Sequence, residues 1–240
     1  MAKKEETQNG QELALTESVK GELANYFGGT VPQQEGIEFR FATLKIAHQN
    51  QAWELPDGIM EKFVKGVILH IQNVKAWWEI KFNDSGGGSP PDCSSLDGIR
   101  PLPTSNMIQA NTCRECKWNV FGSDGKRGKG CKDMKRVYLK MDGYDLPVKI
   151  VVPPTSLRAI NEYGSLLANR SLQYLFVETQ FNLKKATNKD GIGYSELAPV
   201  ATGPSARSKE EADKLIELKK NMLPLMKEEQ FRPEEEYPVE

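Results

Sequence analysis

The chain has 240 residues, 38 % of them hydrophobic and 27 % charged, with a formal net charge of -1. This is the composition of a soluble globular chain long enough to bury a core, and no apolar run approaches the roughly 20 residues that span a bilayer. Two histidines, His48 and His70, exclude a His-rich metal site, and four cysteines are too few for a disulfide scaffold.

The N-terminus, Met1-Ala-Lys-Lys-Glu-Glu, is charged with no apolar segment after it, so it does not read as a signal peptide and the expected compartment is the cytoplasm. Residues 1–36 read as a polar extension with one short helix over 13–27, where Leu15, Val19, Leu23, Tyr26 and Phe27 recur at helical spacing before Gly28-Gly29. Ile37, Phe39 and Phe41 alternate with polar residues and predict a strand, and Pro56-Asp57-Gly58 predicts a turn. A second strand is expected over 64–73, with 76–80 as its continuation.

From Asp84 to Lys132 the chain is poor in aliphatics and rich in Gly, Pro, Cys and Lys, so apolar burial alone cannot hold it. Order resumes with a strand over 137–141, and 146–152 reads either as its extension or as a hairpin partner across Asp142-Gly143. Pro153-Pro154 ends it, and Thr155 or Ser156 is placed to cap a helix carrying Leu157, Ile160, Leu166 and Leu167. Strands are expected over 172–183 and 192–200, with Tyr174, Phe176 and Phe181 as core. A linker then covers 201–208, and Ser208-x-x-Glu211 opens an amphipathic helix over 209–226 that ends near Pro224. The acidic tail, 227–240, carries Glu234, Glu235, Glu236 and Glu240. Two strands, an insertion, a third strand region, one helix and two more strands is the succession of an OB-fold. The expected class is therefore mainly β, an OB-like barrel over 37–200 with a zinc-knuckle subdomain inserted at 84–132 and a few flanking helices.

Cys93, Cys113, Cys116 and Cys131 all fall in that insertion. Cys113-x2-Cys116 has zinc-knuckle spacing, and four thiolates make a closed tetrahedral site whose zinc is structural. Metal binding would supply the folding free energy that the missing core does not. A redox dithiol lacks its βαβ setting, and a zinc deaminase lacks its second ligand motif. Gly125-x-x-Gly128-x-Gly130 lacks the strand-then-helix setting of a phosphate cradle and reads as the turn into Cys131.

Between residues 114 and 140, nine cations face three anions. Arg114, Lys117, Lys126, Arg127, Lys129, Lys132 and Arg136 alternate there with Trp118, Phe121 and Tyr138. Cations for phosphates and rings for bases are what single-stranded nucleic acid requires; a solvated basic face is the plainer alternative. Trp77 and Trp78 are adjacent, so on a strand one fills the barrel while the other is free to stack on a base. The tail is either a solubilising end or a competitor for the basic groove that recruits other proteins once displaced.

The runs Pro91-Asp-Cys-Ser-Ser-Leu-Asp-Gly98, Cys113-Arg-Glu-Cys116-Lys-Trp-Asn119, Phe121-Gly-Ser123 and Gly128-Lys-Gly-Cys-Lys132 resemble a Cys motif of phage and prophage single-stranded DNA-binding proteins. With the OB-like order and acidic tail, the resemblance extends over about 37–240. It implies sequence-independent binding, protection of exposed strands during replication and recombination, and tail contacts to recombinase, polymerase or helicase in the host cytoplasm. The best-known zinc-bearing phage example uses a histidine ligand, where this chain offers a fourth cysteine. Two other functions compete. A zinc-ribbon regulator of duplex DNA needs a recognition helix, for which 156–169 offers only Arg158, Asn161 and Asn169. A zinc-knuckle nuclease needs clustered carboxylates, for which Asp92, Asp97, Asp142 and Asp145 are the candidates, each in or beside a turn.

Overall fold

The computed structural model describes residues 39–47, 50–80, 89–187, 191 and 193–231. The chain divides at Phe39/Arg40 into two units, and the second, Arg40–Glu240, is the one described. The expected helix at 13–27, His48 and the end of the tail with Glu234, Glu235, Glu236 and Glu240 lie outside the described residues.

The centre of the fold is β4 (Phe63–Trp77), which buries alternate residues along its first half. Its register slips between Ile68 and His70, a bulge that bends the strand and lets it serve two ladders. The first half pairs with β8 (Val177–Thr187) and the second with β6 (Lys132–Lys140), all antiparallel. β6 turns through Asp142-Gly143, with Gly143 at φ 81°, into β7 (Val148–Val152), so 146–152 is a hairpin partner and not an extension. β8 pairs antiparallel with β9 (Gly193–Pro204).

Five strands thus lie in the order β7-β6-β4-β8-β9, with α1 (Leu157–Asn169) between the third and fourth in chain order. The insertion follows the first of these strands, not the second, because the strand expected over 37–41 is not one of them. Phe39–Ala42 carry no strand; β1 is Thr43–Ala47, and it runs parallel to β7. β2 (Ala52–Glu54) and β3 (Met60–Glu61) fold back beside it through the expected turn at Gly58, φ 84°. The result is a curled, open sheet of nine described strands, a half-barrel, with β5 (Cys93–Ser95) paired to the end of β4.

The inner face of the curl holds the core: Ile68, Val137, Leu139, Ile150, Phe181 and Leu197, closed by Ile160, Tyr163 and Leu167 of α1. Each such side chain contributes about 1.5–3 kcal/mol on burial. Trp53 from β2 fills the same space and satisfies its indole N–H on the Phe181 carbonyl at 3.0 Å. Tyr163 and Thr179 share a buried 2.7 Å hydrogen bond. Ser156 stands at the N-cap of α1, but neither it nor Thr155 caps by side chain: the Ser156 hydroxyl instead accepts the Leu197 N–H of β9 at 3.0 Å.

The outer face of β4, β6 and β7 is covered by α2 (Lys209–Glu228) and the three residues after it. Ser208 caps its start, accepting the Glu211 N–H at 3.2 Å, while the Glu211 carboxylate reaches one residue past the N-cap to accept the Arg207 N–H at 2.6 Å. Boundaries differ from expectation: the strand expected over 137–141 begins at Lys132, the one expected over 172–183 runs Val177–Thr187, and two more lie around this helix. Residues 201–204 belong to β9, because the β8 ladder continues to Val177↔Pro204, so the connection to α2 is only 205–208. The helix also passes through Pro224 to Glu228. Met226 is fully buried there, and the sheet supplies the donors that the last carbonyls need: Tyr138 Oη to Met226 O at 2.9 Å and Gln72 Nε2 to Lys227 O at 3.1 Å.

Candidate nucleic-acid interface and cysteine cluster

Pairing of Trp77 with Cys93 brings β5 against the end of β4, and Cys131 directly precedes β6. Cys113 and Cys116 come from a turn pinned by its backbone. Cys113 donates its N–H to Ile99 O (2.8 Å), Asn119 Nδ2 donates to Cys113 O (2.8 Å), and Cys131 donates its N–H to Trp118 O (2.8 Å). All four thiols are free and line one cavity of about 20 Å³ with Lys75 and Trp77. Burial pushes the Cys93 and Cys113 thiols up, and Cys131 up to about 12, so all three are protonated at neutral pH. Among the described residues no group of three or more His, Cys, Asp or Glu side chains is placed to hold a metal ion. The four cysteines are gathered at one cavity, and zinc at that cavity stays an expectation of their number and spacing.

The cavity wall continues into an aromatic stack. Trp77 is buried and lies on Trp118 with ring centroids 5.3 Å apart and planes 25° apart. Trp77 therefore does not fill the barrel. Trp78 is half-buried against the small cluster of Val74, Ala76, Met134 and Val151, its indole N–H on Ser89 O at 3.0 Å. A polar network sequence reasoning missed ties the insertion to the sheet: Asp133 bridges Lys75 and Lys129, and Asn119 Oδ1 accepts from both lysines at 3.2 and 3.0 Å. Burial raises the Asp133 carboxyl, but the two lysines more than offset this and hold it below the ordinary range.

Beyond the stack a finger projects. Phe121 bridges Lys129 across the turn 122–128, and Asp124 folds the tip by accepting the N–H groups of Lys126 (2.8 Å) and Gly128 (2.9 Å). Gly130 lies so close to Trp118 that a Cβ would sit 2.7 Å from its ring, so glycine is needed where the finger returns. Phe121 is 77 % exposed with Lys129 Nζ 5.2 Å from its centroid, and Lys126 and Arg127 are exposed at the tip. Arg114 and Lys117 are exposed nearby, Lys117 Nζ lying 5.0 Å from the Trp118 ring centroid. Lys132 is half-buried and donates to Lys129 O at 2.9 Å.

Arg136 and Tyr138 lie elsewhere: both are fully buried on the outer face of the sheet beneath the end of α2. With them is Lys149, also fully buried, whose ammonium meets the Glu229 carboxylate at 3.0 Å. Its only sequence signal is a lone lysine in the apolar run 146–152. Of the three aromatics expected in the core, Phe181 is fully buried, Tyr174 is half-buried under Lys219, and Phe176 is 36 % exposed.

Of the candidate aspartates, Asp92 and Asp97 accept backbone N–H groups. Asp92 accepts the Glu79 N–H at 2.9 Å, and Asp97 accepts from Ser95, Ile99 and Arg100. On α1, Arg158 is paired with Glu162 at 2.7 Å. No family model, curated protein or solved structure matches this chain.

Proposed function

We propose that the chain is a non-catalytic, sequence-independent single-stranded DNA-binding protein of the phage type, acting in replication or recombination, with a structural zinc held by Cys93, Cys113, Cys116 and Cys131. The observation that carries this reading is the finger: an exposed ring, Phe121, with Lys126, Arg127 and Lys129 around it. It rises from the connection between β4 and β6, the first two in chain order of the strands β4, β6, β7, β8 and β9. Strand order and the helix between third and fourth strands support an OB-like assignment, and OB-folds bind oligonucleotides with that connection and the face of strands two and three. Here strand two is β6 and strand three is β7. A ring that stacks on any base, flanked by cations for phosphates, suits binding without sequence preference. The acidic tail is then the segment that recruits replication or recombination proteins.

The test is a titration with labelled single-stranded DNA, duplex DNA and single-stranded RNA at two salt concentrations. Single strands should bind more tightly than duplex, and affinity should fall steeply with salt as counterions are released. Neutralising Lys126, Arg127 and Lys129 together should flatten the salt slope. Equal affinity for duplex would favour the regulator, and magnesium-dependent strand cleavage the nuclease.

A further inference from the structure

Lys126, Arg127 and Lys129 flank the same exposed ring, yet their surroundings differ. Lys126 and Arg127 are exposed at the tip of the finger, whereas the Lys129 side chain is 21 % exposed. Its ammonium donates to Asp133 Oδ2 at 2.8 Å and to Asn119 Oδ1 at 3.0 Å, and it lies over the Phe121 ring, 5.2 Å from the centroid. Lys75 of β4 completes the ring of contacts: it meets the other carboxylate oxygen of Asp133 and donates to Asn119 Oδ1 at 3.2 Å. Asn119 is itself held, its Nδ2 donating to Cys113 O at 2.8 Å. Asp133 stands on β6, opposite Lys75 in the ladder, so the carboxylate that meets the finger belongs to the sheet. The backbone of Lys129 is fixed as well, bridged to Phe121 and accepting Lys132 Nζ on its carbonyl at 2.9 Å.

We infer that Asp133 is the positioning residue of the finger: it holds Lys129 against one face of Phe121 and away from phosphate, so that the other face of the ring meets a base while Lys126 and Arg127 take the phosphates. This role rests on the nucleic-acid reading for its ligand, a single strand. Charge explains why a carboxylate stands here. Lys75 and Lys129 both point at Asn119 Oδ1, and two ammonium groups that close repel each other unless an anion lies between them. Asp133 supplies it, one oxygen to each lysine, in charge-assisted hydrogen bonds. The ammonium of Lys129 is attracted in turn by the face of the ring. Fixing that ammonium therefore fixes Phe121, which at 77 % exposure has little packing of its own. Without the carboxylate, Lys129 is free to reach a phosphate and Phe121 loses its backing. The flatter salt slope expected on neutralising all three cations then comes from Lys126 and Arg127.

The test uses the full-length protein and its variants Lys126→Met, Arg127→Met, Lys129→Met, Asp133→Asn and Phe121→Ala, the last also combined with Asp133→Asn as a double-mutant cycle. Folding of each is checked by circular dichroism. Affinity for a labelled oligothymidylate is read by fluorescence anisotropy over a range of salt concentrations, and amide exchange of 121–129 is read without ligand. Lys126→Met and Arg127→Met should each flatten the plot of log affinity against log salt by about 0.7, the increment of one phosphate on a single strand. Lys129→Met should weaken binding at least threefold with the slope unchanged. Asp133→Asn should steepen the slope by about 0.7 as Lys129 is released, and should speed exchange over 121–129 while β6 stays protected. Phe121→Ala should lose at least threefold less affinity in Asp133→Asn than in wild type. Lys129→Met decides the role by itself if Asp133→Asn disturbs the fold. A slope flattened as much by Lys129→Met as by Lys126→Met, or a Phe121→Ala loss unchanged by Asp133→Asn, would overturn the role of Asp133 and leave the nucleic-acid reading standing. Faster exchange over 121–129 in Asp133→Asn, with no oligonucleotide bound by wild type, would support the anchor and remove that reading.

Discussion

Phe121 and Trp118 are near neighbours in the chain with opposite surroundings. Phe121 is 77 % exposed, so Phe121→Ala removes no packing; it should cost about 1–3 kcal/mol of single-strand affinity and leave the thermal midpoint in place. Trp118 packs on Trp77 at the cysteine cavity, so Trp118→Ala should loosen the insertion first. Comparing binding and melting for the two variants checks both, and a Phe121→Ala protein with unchanged affinity would remove the ring from the interface. His70 offers a second residue-scale prediction. Burial first, then Lys219 and Lys227 of α2, lower its imidazole from 6.5 to about 4, and Tyr138 stacks on it from β6. Between those two values the unfolded chain binds the proton and the folded chain does not. The stability due to neutral His70 is therefore present above about pH 6.5 and lost as pH falls toward about 4. Urea titrations across this window should show wild type losing more stability than His70→Gln; parallel losses would clear His70 of the effect.

At the scale of elements, the insertion and the half-barrel have separate sources of stability. The half-barrel rests on a contiguous apolar core with α1, to which the insertion contributes no residue. The insertion rests on the Trp77–Trp118 stack, the Lys75–Asp133–Lys129–Asn119 network and, on our reading, zinc. Metal analysis should find one zinc per chain. Cys116→Ser should abolish it and open 89–131 to protease while the amides of β4, β6 and β8 stay protected. A full zinc complement in Cys116→Ser, or none in wild type, would refute the cluster as its site.

For the whole molecule, where the tail is cut decides what is measured. Removing 227–240 takes away Glu229 and leaves Lys149 without the carboxylate it meets on the sheet. That truncation should lower stability, because the buried Lys149 ammonium loses a carboxylate that offsets its desolvation. Removing only 232–240 takes four glutamates and one arginine and leaves Glu229 and Phe231 in place. The shorter cut should tighten DNA binding, most at low salt where screening is weakest. If the 232–240 deletion binds no better at low salt, those residues do not compete for the groove.

Much of this was legible from local pattern. The alternation at the start of β4 and β8, the Asp142-Gly143 turn and the Ser208 cap are encoded within a few residues of each other, where period and turn chemistry act, and the gathering of all four cysteines in one segment is visible in the sequence. The tertiary structure alone decided what depends on distant segments meeting. β1 found a parallel partner in β7, β9 ran on to Pro204 because β8 lay beside it, and α2 continued past Pro224 because Tyr138 and Gln72 satisfied its carbonyls. The same holds for the outer face of the sheet. Arg136 and Tyr138 read as surface groups in a basic stretch, and Lys149 as an oddity in an apolar strand. They became one buried cluster only when a carboxylate 80 residues beyond Lys149 folded onto them. A charge is buried where a carboxylate or carbonyls are delivered to it, as Glu229 is to Lys149 and the carbonyls of Glu229 and Gln230 are to Arg136, and nothing local to either residue announces that delivery.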